Sequence, residues 1–130
     1  MKKVVIISTI FAIILGVAVW EIVFTVKIHS SILNELYSIE DLVGDTPQRV
    51  DTQEIIVHAD KLLDIWHKNK DTLVCFGNHT VIRNVDEKLQ FLCATLKNND
   101  TPAAPAALKT AISLVEAISN DSLPVITNLL

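Results

Sequence analysis

The chain has 130 residues, room for one small domain, and half of them are hydrophobic although only 5% are aromatic. A net charge of −4 argues against a nucleic-acid binder. With 3 Gly, 4 Pro and 2 Cys, it excludes collagen, low-complexity disorder, a disulfide scaffold and a four-thiolate zinc site.

The N-terminus reads as a membrane segment. Lys2 and Lys3 open the chain, and no charged residue follows until Glu21. Ile22 to Val26 is again apolar, and Lys27 closes the stretch. A helical span needs about 20 apolar residues, so the run must continue past Glu21 to cross. Glu21 then falls about one turn from the outer edge, where a carboxylate reaches interfacial water. Trp20 suits the same depth. The rival is a cleaved signal peptide, with Gly16 and Ala18 as its small residues before Val19. The apolar stretch runs on past that point, which favours an uncleaved signal anchor. The two lysines place the N-terminus in the cytoplasm by the positive-inside rule. Residues 1–27 are therefore expected to be the anchor. Residues 28–130 are expected to be an extracytoplasmic helical domain.

That outer part carries eight basic and fourteen acidic residues, a net −6. Such a charge is expected to hold it off an anionic lipid surface. Its apolar residues recur at helical steps. Ile32, Leu33, Leu36, Ile39, Leu42 and Val43 form the first stripe. No Gly or Pro separates this stripe from the membrane segment, so one helix can run through both. The Gly44-Asp45-Thr46-Pro47 cluster predicts the turn that ends it. Asp51 or Thr52 can cap a second helix with Ile55, Ala59, Leu62, Trp66 and Leu73 on one face. Gly77-Asn78 is expected to close it. Ile82, Val85, Leu89, Leu92 and Leu96 mark a third helix ending at Asn98-Asn99-Asp100. Thr101-Pro102 predicts the start of a fourth, with Leu108, Ala111, Ile112, Val115 and Ile118 as its stripe. Ser122 to Leu130 reads as a short apolar tail with one last turn from Pro124. No run alternates with period two. The fold expected is all-α: an N-terminal transmembrane helix, then a small antiparallel bundle of about four helices.

The candidate chemistry is sparse. Asp60, Asp64, His67 and Asp71 share a helix, but four groups on one straight helix cannot converge on one ion. Lys61, Lys68 and Lys70 are interleaved with them, as on a solvated face. His79 falls in the turn between the second and third helices, where it is expected to bond a terminal carbonyl; as an alternative it could titrate near neutrality. Cys75 and Cys93 fall too far apart along a helical hairpin to bridge, so two buried thiols are expected. No catalytic residue, cofactor or metal ligand is assigned.

Trp66, His79 thirteen residues later, Ile82, Asn84-Val85-Asp86, Leu89, Leu92 and the ending Asn128-Leu129-Leu130 resemble a bacterial family, the domain of unknown function family 4363. The chain departs from that pattern at Arg83, where an acidic residue is usual, and at Phe91, where a basic one is. The resemblance implies a short, membrane-anchored, helical protein of the bacterial cell envelope, encoded near a YetF-like membrane protein. It implies no catalytic residue. The function expected is an outward-facing interaction module, accessory to another membrane protein, that contacts lipid through its N-terminal helix. The alternative is a metal- or pH-sensing domain or a hydrolase-like enzyme using His58, His67 and His79.

Overall fold

In a computed structural model, the protein is described for the backbone of residues 1–44, 47–76 and 78–129, and for side chains there except at 76 and 119–129. Asp45, Thr46, Gly77 and Leu130, named above in turns or at the end, lie outside the described residues. Four helices follow in order: α1 (Lys2–Val43), α2 (Gln53–Phe76), α3 (His79–Lys97) and α4 (Ala104–Leu129). There is no strand among the described residues. The fold is all-α, with a long apolar N-terminal helix and three further helices packed together.

The helices in contact are α1 with α2, α2 with α3, α3 with α4, and α4 with α1. That is a closed ring of antiparallel neighbours, the arrangement short loops favour. Its first member is the second part of α1. Burial on α1 begins at Ile28 and recurs at Ile32, Glu35, Leu36, Ile39 and Val43. Before Glu21 every residue is exposed. One continuous helix thus serves both as a free apolar rod and as a bundle member.

The predicted stripes form the core, except that Leu42 is exposed and Leu33 and Ile118 are only partly buried. Ile32, Leu36, Ile39, Leu62, Trp66, Leu89, Leu92 and Leu96 are completely buried. Each such side chain contributes about 1.5–3 kcal/mol by leaving water. Ala59 lies about two turns before Trp66 and is also fully buried, so a neighbouring helix packs closely there.

The ends follow local chemistry. Gly44 stops α1 with φ 69°, the left-handed region that a Cβ disfavours. Thr52 caps α2, its Oγ1 accepting from the Ile55 N–H at 3.4 Å, while Asp51 pairs instead with Arg49. Asn78 caps α3 by accepting from the Thr80 N–H. The other end of α3 is a Schellman closure. The Asp100 N–H bonds Thr95 O, the Asn99 N–H bonds Leu96 O, and Asn99 takes φ 52°. The Asn99 side chain then accepts the Val50 N–H at 2.9 Å, tying the α1–α2 loop to the α3–α4 loop.

Two boundaries differ from expectation. Thr101 and Pro102 lie in a turn, and α4 begins at Ala104. Asp100 organises that turn by accepting from both Ala103 and Ala104, so the helix starts later and Pro105 falls in its first turn. At the other end Pro124 does not begin a separate turn. The α4 backbone is helical through it to Leu129.

Candidate functional site

Three features carry more than packing: the exposed stretch of α1, a carboxylate buried between α1 and α2, and a buried imidazole on α1.

The exposed stretch is apolar on every face. Val4, Val5, Ile6 and Ile7 face four different sides of the helix and are each more than half exposed, as are Ile10, Phe11, Ile13 and Ile14. Water would penalise such a surface severely. Its most apolar 18-residue window has mean hydropathy 2.4, and the helix is long enough to cross a bilayer. Trp20 and Phe24 stack at its upper end with centroids 5.3 Å apart.

Glu35 occupies a core position. Ile28, Ile32, Glu35 and Ile39 follow steps of four, three and four, so spacing alone would have flagged a carboxylate inside the stripe. The carboxylate is 9% exposed and holds two partners from α2. His58 Nδ1 donates to Oε2 at 2.7 Å, and Lys61 Nζ lies 3.0 Å from Oε1. Burial pushes the Glu35 pKa up, but the bonds and charges of His58 and Lys61 outweigh it, and the net direction is down. Glu35 is therefore ionised at neutral pH and pins α1 to α2.

His29 is 4% exposed, and its Nδ1 is buried without a hydrogen-bond partner. Desolvation lowers its pKa, so the ring is held neutral.

On the opposite flank, Tyr37 Oη donates to Glu116, joining α1 to α4. Between α2 and α3, Trp66 Nε1 donates to Asp86 at 2.7 Å. The buried indole thus has its polar edge satisfied, and Lys70 flanks the same carboxylate. Asp86 was legible only as a polar neighbour of Val85. Its role needs the α2–α3 pairing.

The histidines of the alternative reading have three separate settings. His58 is engaged by Glu35; His67 stands 3.3 Å from the Gln90 amide; His79 is exposed as the first residue of α3. His79 thus opens α3 instead of lying in the turn before it, where it was expected. The acidic face of α2 is divided as well. Asp60 pairs with Lys97 on α3, and Asp64 with Lys68. No group of three or more His, Cys, Asp or Glu converges among the described residues. Both cysteines are free thiols, but only Cys93 is buried. Its Sγ donates to Ala59 O, and burial pushes its pKa up to about 11. Cys75 is exposed, contrary to the expectation of two buried thiols. It lies a half-turn off the stripe set by Trp66 and Leu73. Arg83 and Phe91 are both exposed on α3.

The chain matches no protein-family model, no curated protein and no solved structure.

Proposed function

We propose that the protein is a single-pass membrane protein whose outward-facing helical bundle binds another membrane protein. The observation that carries this reading is the division of α1. The helix is exposed on all sides before Glu21 and joins a closed core from Ile28. An apolar rod rigidly continuous with a bundle is suited to hold that bundle at a fixed height over a bilayer. Lys2 and Lys3 support an N-terminus in the cytoplasm and a bundle outside. The resemblance to the domain of unknown function family 4363 supports a bacterial envelope setting and a YetF-like partner. Function then lies in positioning and binding rather than in turnover.

Three experiments test this. After a carbonate wash the full-length chain should remain with the membrane pellet; a shortened soluble form would refute the anchor. A topology reporter fused after Leu130 should be active outside the cytoplasm, and the reverse would refute the orientation. Crosslinking in native membranes should capture a membrane protein, and recovery of the chain alone would refute the accessory role.

A further inference from the structure

The height of the bundle along α1 follows from its cross-helix contacts. Glu35 meets His58 and Lys61 on antiparallel α2. From Lys61, α2 runs on to Phe76. At 1.5 Å per residue that is about 22 Å back toward the N-terminal segment, level with Trp20. Tyr37 meets Glu116 on α4, which continues to Leu129. That return is about 20 Å and ends level with Phe24. Two helices placed by independent contacts thus stop at the same height. There Glu21, Phe24 and Thr25 become half-buried and Trp20 stacks on Phe24.

The apolar length reaches that height from the other side. A span of about 20 residues begun at Val4 ends at Val23. No stalk separates the end of the span from the base of the bundle.

Charge is distributed to match. Within residues 28–130 the two longest stretches without Asp, Glu, Lys or Arg are Thr72–Ile82 and Ser122–Leu130. The first contains the α2–α3 turn and the second contains the end of α4. The described residues of both stretches lie at the base. The net −6 of the outer part therefore resides above it, and repulsion by an anionic surface does not act at the base itself.

We propose that this base, the α2–α3 turn together with the last turn of α4, is seated in the headgroup layer of the phospholipid bilayer. The proposal rests on the anchor reading above and adds a second, peripheral lipid contact to it. Its consequence is a bundle fixed in height and tilt, with the upper flanks of α2 and α3 and the far-end loops left for a protein partner. The occupant is lipid because the span ends at this level and because the turn offers no charge for a salt bridge to a protein.

Cys75 reports on the site directly. It is exposed in the last turn of α2, whereas buried Cys93, with its thiol pushed up to about 11, resists labelling at neutral pH. The full-length chain is labelled with bimane at Cys75 and reconstituted in phosphatidylcholine–phosphatidylglycerol vesicles. Nitroxide on the lipid headgroup should quench most of its fluorescence, and aqueous iodide should quench little. Gln48→Cys in a Cys75→Ser background, at the far end of the bundle, should show the opposite pattern. Iodide quenching of Cys75 as strong as at Gln48→Cys would overturn the proposal, and so would shielding from both quenchers, which would mean a protein covers the base. Ile10→Cys in the same background separates the two readings. If an acyl-chain nitroxide quenches it while Cys75 stays in water, the anchor stands and the seated base fails. If Ile10→Cys is not quenched, both fail.

Discussion

The two halves of α1 share one continuous helix, yet they solve different problems. From Val4 to Val23 the apolar residues surround the axis and no neighbouring helix covers most of them. From Ile28 to Val43 the buried residues follow a stripe that packs between α2 and α4, while Tyr37 and Leu42 are exposed. In the first half the surroundings must be apolar on every side. In the second a core lies on one side and water on the other. Polar groups mark the contrast. Glu21 is the first half's one charged residue, whereas the second half buries Glu35 and His29 and satisfies only Glu35.

The strongest test of the bundle half is Trp66→Ala. Trp66 is fully buried, so the change should cost about 3–5 kcal/mol in stability. Thermal melting of the full chain in detergent micelles measures this. Normal melting would mean that the core is not organised around the indole. Trp66→Phe keeps most of the volume but leaves Asp86 without its donor, and should cost less.

A change confined to the other half should leave melting alone. Ile10→Asp places a carboxylate at mid-span, where insertion is disfavoured by about 2.5–3.5 kcal/mol. The expected result is a fall in the membrane-integrated fraction with the bundle's melting temperature unchanged. A parallel loss of both would mean that the halves are energetically coupled.

Glu35→Gln removes the charge that His58 and Lys61 share. Hydrogen bonds to charged groups contribute about 1.5–3 kcal/mol, so the loss should be smaller than at Trp66. The pH profile separates the two buried polar groups. Each has its pKa lowered by folding, so the unfolded chain binds more protons and acid destabilises in both cases. For His29 the loss begins as pH falls through about 6.5, where an unfolded histidine charges. For Glu35 it begins near the ordinary carboxylate value of 4.5. His29→Leu should flatten the first phase and leave the second, as followed by melting between pH 7.5 and 4. An unchanged first phase would remove His29 from the account.

The smallest expected effect is at the far end of the bundle. Asn99→Gly keeps the left-handed φ but loses the bond to Val50, and should cost about 0.5–1.5 kcal/mol. Asn99→Ala adds the strain of a Cβ at φ 52° and should cost more. Equal losses in the two variants would show that only the bond matters.

Much of this fold was legible because helical stripes are local. The residues predicted for the faces of α2 and α3 are all buried, since spacing along one helix decides which side chains lie together. Boundaries were less legible where side chains compete for the same backbone groups. Asp100 accepts from the Ala103 and Ala104 N–H groups, and α4 starts later than Thr101-Pro102 predicts. An interior proline loses a backbone hydrogen bond, yet α4 continues past Pro124, where the sequence predicts the start of a separate last turn. The buried carboxylate had a sequence signal in its step from Ile32 and to Ile39. Its partners had none, because His58 and Lys61 lie on another helix and only the pairing of α1 with α2 selects them.

By itself, then, the sequence determined the helical class, the apolar segment, the residues that form each buried face and the uncharged stretches. All of these depend on neighbours within a few turns. Only the tertiary structure decided that Glu35 is held by α2, that Trp66 donates to Asp86, and that α2 and α4 return to the same height on α1. Those facts depend on register between helices. Register is set by side chains far apart in the chain packing at once, and no periodicity along a single segment encodes it.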